Sequence, residues 1–313
     1  MKIGIISNHF TFPAINYLII NKLAAGFAVP EMQNPALQNI KLLSETFNVQ
    51  FNILHRNTLS EDLTAWLSNI KADVVYIFSF PYKIPEKVLS VPKFGFINFH
   101  PSILPSYRGP DPIFWQLRNG MNETGITAYK LDKNFDTGPI IHIEKAQIDS
   151  LDTYGSLGRK LADTLLKSVT EVTAMIKDIS PANFKYFKQD EKYSSYYGNP
   201  KSEDLVIDWE KQDALSIYNL VRASNPKYQG AVTNYKNFPV RILQVSVGKR
   251  EEDIQQPGTI IIDNFELNIS TIDKKTISLE AIYSTEGYYT GKTFKELFKL
   301  HSGERFGMKK NLI

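Results

Sequence analysis

The stretch Phe94-Gly-Phe-Ile-Asn-Phe-His-Pro-Ser-Ile-Leu-Pro-Ser-Tyr-Arg-Gly109 organises the reading of this 313-residue chain. The apolar run Phe94–Phe99 reads as a strand, and proline and glycine break it soon after His100. Side chains alternate faces along a strand, so Asn98 and His100 point the same way. A polar pair is thus displayed at the carboxyl end of a buried strand, where open α/β sheets bind ligands. A second polar signal follows at Asp132-Lys-Asn-Phe-Asp-Thr-Gly138. Together the two offer an amide donor, an imidazole and a carboxylate.

Working outward, Lys2–Ser7, Val49–Leu54 and Asp73–Ser79 read as short buried strands. Pro13–Leu23, Asn34–Glu45 and Ser60–Ile70 read as helices between them, the last with Ser60 as N-cap. The alternation predicts a parallel sheet. No Gly-x-Gly-x-x-Gly follows the first strand, which argues against a dinucleotide site. Ile126–Leu131 and Pro139–Glu144 flank the Asp136 loop as strands. Leu157, Leu161, Leu165, Val169, Val172 and Ile176 recur at helical steps and predict an amphipathic helix. Asp178 to Asp204 shows little period and reads as a linker. Beyond it come a helix over Ala214–Ala223 and short strands near Ala231–Asn234, Val240–Val247, Thr259–Ile262, Leu267–Ile269 and Thr276–Ile282. Such regular short strands suggest a small barrel. The expected organisation is residues 1–180, a linker at 181–203, and 204–313.

The hydrophobic fraction of 42% is that of a globular protein. Lys+Arg 36 against Asp+Glu 33 leaves a net charge of +3, a weak argument for nucleic acid or a membrane surface. There are no cysteines, which excludes disulfides, thiolate nucleophiles and zinc–thiolate sites. The start, Met1-Lys-Ile-Gly-Ile-Ile-Ser7, is too short and soon too polar for a signal peptide, and no apolar run reaches membrane-spanning length. A cytoplasmic protein is expected. His55, His142 and His301 fit no metal-ligand spacing, and no metal is expected.

Asn98-Phe-His100, the Ser102-Ile-Leu-Pro105 that follows and Asp136-Thr-Gly138 resemble the signature of formyltransferases that use 10-formyltetrahydrofolate. That superfamily includes methionyl-tRNA formyltransferase, glycinamide ribonucleotide formyltransferase and amino-sugar N-formyltransferases. Ile207-Asp-Trp209, Val221-Arg-Ala223, Asn225-Pro226, Gly230-Ala231, Phe298 and His301-Ser-Gly-Glu-Arg305 resemble the C-terminal domain of the tRNA enzyme. The resemblance implies a Rossmann-like catalytic domain followed by an OB-like barrel. It also implies formyl transfer from 10-formyltetrahydrofolate, as co-substrate, to a primary amine.

Asn98, His100 and Asp136 are the catalytic residues the resemblance implies. Their chemistry agrees: an amide N–H and an imidazole can stabilise an oxyanion, and a carboxylate beside the imidazole can orient it and help remove a proton. Read without the resemblance, Asp136 is an ordinary Asx-turn residue. For the folate, the resemblance points to the loop Phe78–Pro85, with Phe78, Phe80, Tyr82 and Ile84, and to Leu131, Asn134 and Phe135 before the aspartate. Phe78, Phe80 and Ile84 are equally core residues, and a slot is built from such side chains. Ser102 is expected to shape the turn after His100. His9 sits in the first strand-to-helix loop and is a substrate candidate. Arg108 either faces a phosphate or carboxylate or is a solvated loop cation. Asp111 either binds the acceptor ammonium or, before Pro112, caps a helix.

Two departures bear on the acceptor. The first loop, Ser7-Asn-His-Phe-Thr-Phe-Pro13, lacks the glycine expected after the first strand. The basic insertion by which the tRNA enzyme enters its tRNA has no counterpart, because Leu23 to Ile40 holds no Lys or Arg. Residues 201–313 carry 16 Lys+Arg against 15 Asp+Glu, so the barrel is no strong basic platform. The reading favours a small amine, such as a nucleotide-linked amino sugar. Initiator methionyl-tRNA is the alternative partner, and a 10-formyltetrahydrofolate hydrolase is a further alternative.

Overall fold

The computed structural model describes residues 1–8, 11–31, 35–177, 179–236, 238–250, 255–263 and 266–307. Two compact units emerge. The first comprises residues 1–112, 123–147 and 159–198, and the second 113–122, 148–158 and 199–313.

The first unit is built on a seven-stranded sheet. Its strands are β1 (Ile3–Ser7), β2 (Ala24–Pro30), β3 (Gln50–Leu54), β4 (Val74–Phe78), β5 (Phe96–His100), β6 (Glu123–Lys130) and β7 (Ile140–Gln147), in the order β3-β2-β1-β4-β5-β6-β7. The first five run parallel, as expected, while β6 and β7 are antiparallel, so the sheet is mixed. Chain length accounts for the β6–β7 pairing; the connection 101–122 between β5 and β6 contains a helix and is long enough for either sense. A parallel crossover needs a dozen or more residues and usually a helix, and only the Asp136 loop joins β6 to β7. β2 was not anticipated.

Helices α1 (Phe12–Ile20), α2 (Pro35–Thr46) and α3 (Leu59–Ile70) connect the parallel strands. Helix α3 begins at Leu59 with Thr58 in the cap position and no side-chain cap, so Ser60 is not the N-cap. Leu63, Trp66, Leu67 and Ile70 of α3 form one core cluster with Ile6, Ala28, Leu54, Val75, Ile77 and Phe96. α4 spans Pro112–Arg118, directly after Asp111, and α5 spans Tyr154–Lys177. The Tyr76 hydroxyl meets Thr173 Oγ1 at 3.1 Å and joins β4 to α5. β1 and β4 are neighbours although β2 and β3 separate them in sequence. The loops after them meet at this switch point, where the Asn8 N–H donates to the Ser79 carbonyl at 3.0 Å. His9 lies outside the described residues.

The second unit carries helix α6 (Ala214–Ser224) and strands β8 (Ala231–Tyr235), β9 (Phe238–Arg250), β10 (Ile260–Asp263), β11 (Glu266–Ser270) and β12 (Lys275–Ser284), ordered β10-β11-β12-β9-β8. β13 (Gly287–Thr290) pairs with β12, and α7 (Gly291–Leu297) follows; neither was anticipated. The segment after α7 joins the two edges of this sheet. Ile260 donates to the Glu304 carbonyl at 2.7 Å, Phe306 to Gly258 at 2.9 Å and Gly307 to Asn234 at 3.0 Å. The result is a small barrel closed by its last strand-like stretch. Trp209 is buried in it and donates its indole N–H to Thr233 Oγ1 at 2.9 Å. Arg222, on α6, donates to Asn219 Oδ1 and to the carbonyls of Asp149 and Asp152.

Candidate active site

The antiparallel register of β5 and β6 sets Asn98 opposite Tyr129 and His100 opposite Thr127. These four side chains share one face. Thr127 Oγ1 donates to the Ser102 carbonyl at 2.6 Å and accepts from the Leu104 N–H at 3.1 Å, so β6 braces the turn after β5. Ser102 Oγ donates to the Ser106 carbonyl at 2.7 Å, and this curls the chain back toward His100. Tyr107 then takes φ +59. A bulky residue in that left-handed region is strained and needs a reason. Its carbonyl supplies one, since it accepts from His100 Nε2 at 2.8 Å.

A carbonyl only accepts, so Nε2 carries the proton and Nδ1 of the neutral ring is left with its lone pair. That nitrogen lies 3.7 Å from Asp136 Oδ1, and both side chains are buried. Asp136 itself takes φ +57, a conformation Asp tolerates. Its Oδ2 accepts the Gly109 N–H at 2.8 Å and its Oδ1 accepts the Tyr129 hydroxyl at 2.7 Å. It is therefore no Asx turn. Asp132 makes that turn instead, accepting from the Asn134 N–H at 2.9 Å and from Thr137 Oγ1 at 2.8 Å. Gly109 is required where it stands: φ is +115, and a Cβ there would strike the Tyr197 carbonyl. The Tyr129 hydroxyl also accepts from Asn98 Nδ2 at 3.0 Å. Burial, and after it the Asp136 carboxylate, hold this phenol well above the ordinary tyrosine range.

Asn98 and Asp136 are thus joined through the Tyr129 hydroxyl, and His100 stands beside Asp136 within the first unit. Arg108 faces a carboxylate, and that carboxylate belongs to the protein itself. Arg108 is buried, with Nη2 donating to Gln189 Oε1 and Glu191 Oε1, both at 2.7 Å, and Nη1 to Glu191 Oε2 at 2.9 Å. It is neither a solvated cation nor open to a substrate anion. The Arg108 hydrogen bonds hold the Glu191 carboxyl below its usual range. Asp111 is buried directly before α4, the placement of a cap residue.

Of the folate candidates, Phe80 and Tyr82 are half-buried, with their rings 5.3 Å apart and edge-on. They pack with Leu131 on the core cluster that holds Ile84. Phe78 is fully core, its ring 5.3 Å from Phe99. Phe135 is 54% exposed and Asn134 is exposed. A partly open aromatic face on an apolar backing fits one side of a pterin ring.

Sequence reasoning missed Tyr129 and Gln189. The first had a signal, since an antiparallel β5–β6 pair would have set it beside Asn98. Gln189 had none. It lies in the stretch read as linker, yet its Nε2 donates to the carbonyls of Asp136 and Gly138 at 2.9 and 2.8 Å. Further along, Arg108 donates from its backbone to Ser195, and Tyr197 donates to Arg108, both at 2.9 Å. The rings of Tyr107 and Tyr197 stack at 5.2 Å. Residues 189–197 thus form a strap along the turn after His100 and the Asp136 loop.

The profile of the Formyl transferase family matches residues 24–173, and that of the Formyl transferase C-terminal domain matches residues 200–287. The methionyl-tRNA formyltransferase of Thermotoga maritima is 32% identical over 237 residues, 75% of this chain and 73% of that protein. The chain belongs to the formyl transferase family. It is a folate-dependent N-formyltransferase with 10-formyltetrahydrofolate as formyl donor. Two solved structures share the fold. The Helicobacter canadensis N-formyltransferase, in complex with folinic acid and dTDP-3-aminofucose, has a TM-score of 0.66 at 16% identity, over 92% of this chain and 100% of that one. HypX from Aquifex aeolicus, in complex with tetrahydrofolic acid, has a TM-score of 0.63 at 15% identity over 99% of this chain, which spans 51% of HypX. Among the described residues of this formyltransferase no His, Asp or Glu cluster is suited to a metal, and no helix is long and apolar enough to cross a membrane.

Proposed function

We propose that this formyltransferase delivers its formyl group to the primary amine of a small acceptor, a nucleotide-linked amino sugar being the class that fits best. The folate brings the formyl group on N10, and Phe80, Tyr82, Ile84 and Leu131 form the apolar side of its site. Asn98 offers an N–H to the formyl oxygen as negative charge develops there, a donor worth about 2.7–4 kcal/mol in comparable sites. His100 takes the amine proton at Nδ1, the nitrogen its bond to Tyr107 leaves open. The resulting imidazolium lies against Asp136, which Tyr129 and Gly109 hold in place, and it returns the proton to N10 as the C–N10 bond breaks, so that tetrahydrofolate leaves and the amine keeps the formyl group.

The observation that carries the choice of acceptor is the connection between β2 and α2. Those elements end at Pro30 and begin at Pro35, leaving Glu31-Met-Gln-Asn34 with no cation. Several phosphates of a tRNA need several cations. Arg108 and Arg222, two arginines in the family-like motifs, are engaged within the protein. One observation favours methionyl-tRNA as acceptor: the 32% identity with a methionyl-tRNA formyltransferase, together with the matching C-terminal profile.

The test uses donor labelled in the formyl group. With nucleotide-linked amino sugars of varied amine position, the label is expected in an N-formyl sugar. Label found only in free formate indicates hydrolysis, and label found only in formyl-methionyl-tRNA indicates the tRNA enzyme. Either result rejects the proposal.

A further inference from the structure

The Tyr129 hydroxyl sits between two of the three groups assigned above to the chemistry. It accepts from Asn98 Nδ2 at 3.0 Å and donates to Asp136 Oδ1 at 2.7 Å. The residue is 1% exposed, and its ring packs among Leu104 and Ile140. A phenol has one proton, and a carboxylate only accepts. The proton is therefore committed to Asp136, and the phenol oxygen can only accept from Asn98. Turning the amide over would set its oxygen against the phenol oxygen, two acceptors with no proton between them. The chain of bonds thus dictates which end of the amide faces Tyr129. The amide nitrogen has a second N–H, and that one remains for the formyl oxygen. Tyr129 stays protonated at any working pH, because burial and the adjacent carboxylate oppose its ionisation.

We propose that Tyr129 is a positioning residue for formyl transfer: its hydroxyl locks the Asn98 amide in the orientation that presents a donor to the formyl oxygen. This rests on the reading in which Asn98 acts on the formyl group. Register makes the lock rigid, since Asn98 and Tyr129 are directly opposed across β5 and β6. A phenylalanine at this position would pack as well and leave the amide free to turn.

The experiment compares Tyr129→Phe, Asn98→Ala and the double variant at saturating donor and acceptor. Tyr129→Phe is expected to lower kcat about tenfold, the size of one buried hydrogen bond, with KM for the donor within about twofold. In the Asn98→Ala background the same change is expected to cost less than about twofold, because the group it positions is gone. An unchanged kcat in Tyr129→Phe, while Asn98→Ala is slow, overturns the proposal and spares the role of Asn98. Fully additive losses overturn it as well, since they assign Tyr129 a general structural part. A normal rate in Asn98→Ala overturns the underlying reading. Should Tyr129→Phe fail to fold, p-aminophenylalanine at the same position keeps shape and donor but is a poor acceptor. It is expected to be slow, and full activity overturns the proposal.

Discussion

At the residue scale the site was legible where chemistry follows the strand period. Asn98 and His100 were separable from their apolar neighbours because alternate residues share a face. Asp136 was legible through its resemblance to a known motif. The partners of Arg108 were not legible, because no sequence pattern announces Gln189 and Glu191, more than eighty residues later. Nor does sequence say which ring nitrogen of His100 is free; the strained Tyr107 carbonyl decides that. His100→Ala is expected to lose about 10²-fold or more in turnover while binding of the folate, measured directly, survives. An unchanged rate in a folded variant would remove the imidazole from the mechanism.

At the scale of elements, strands with branched apolar residues were read correctly and β2 was not. Its sequence, Ala24-Ala-Gly-Phe-Ala-Val-Pro30, is rich in small residues because α3 lies close against it. A Cβ at Gly26 would meet Trp66 Nε1 at 3.0 Å. The strap at 189–197 carried no period because hydrogen bonds, rather than an apolar face, hold it. That makes Gln189 its most informative residue. Gln189→Leu removes two bonds to the Asp136 loop and a partner of Arg108. It is expected to lower the urea midpoint of the catalytic unit, by about 2 kcal/mol in stability, and to lower turnover with it. A variant as stable and as fast as the parent would show that the strap supports nothing.

At the scale of the whole molecule, an α/β sheet domain followed by a small barrel was legible in the sequence, but not the division into units, which places 113–122 and 148–158 with the barrel, nor how the barrel closes. Glu304 is central to that closure. The His301 N–H and Tyr235 hydroxyl donate to it at 2.9 and 2.7 Å, and Lys236 lies 3.1 Å away. The backbone bond first, then Tyr235, bring its carboxyl down to about 2. A group whose folded pKa is depressed stabilises the fold above its unfolded value, near 4.3, and loses that contribution as pH falls toward the folded value. Glu304→Gln is therefore expected to lower the Tm of the barrel at pH 7, with the gap to the parent narrowing by pH 3. An equal gap at both would contradict this. The choice of acceptor is tested most directly by a competition. Labelled donor is supplied with nucleotide-linked amino sugars and methionyl-tRNA together, at rising salt. The expected result is label in the sugar, with kcat/KM nearly independent of salt. Label in methionyl-tRNA, with a steep fall as salt rises and no formyl sugar, would contradict the account.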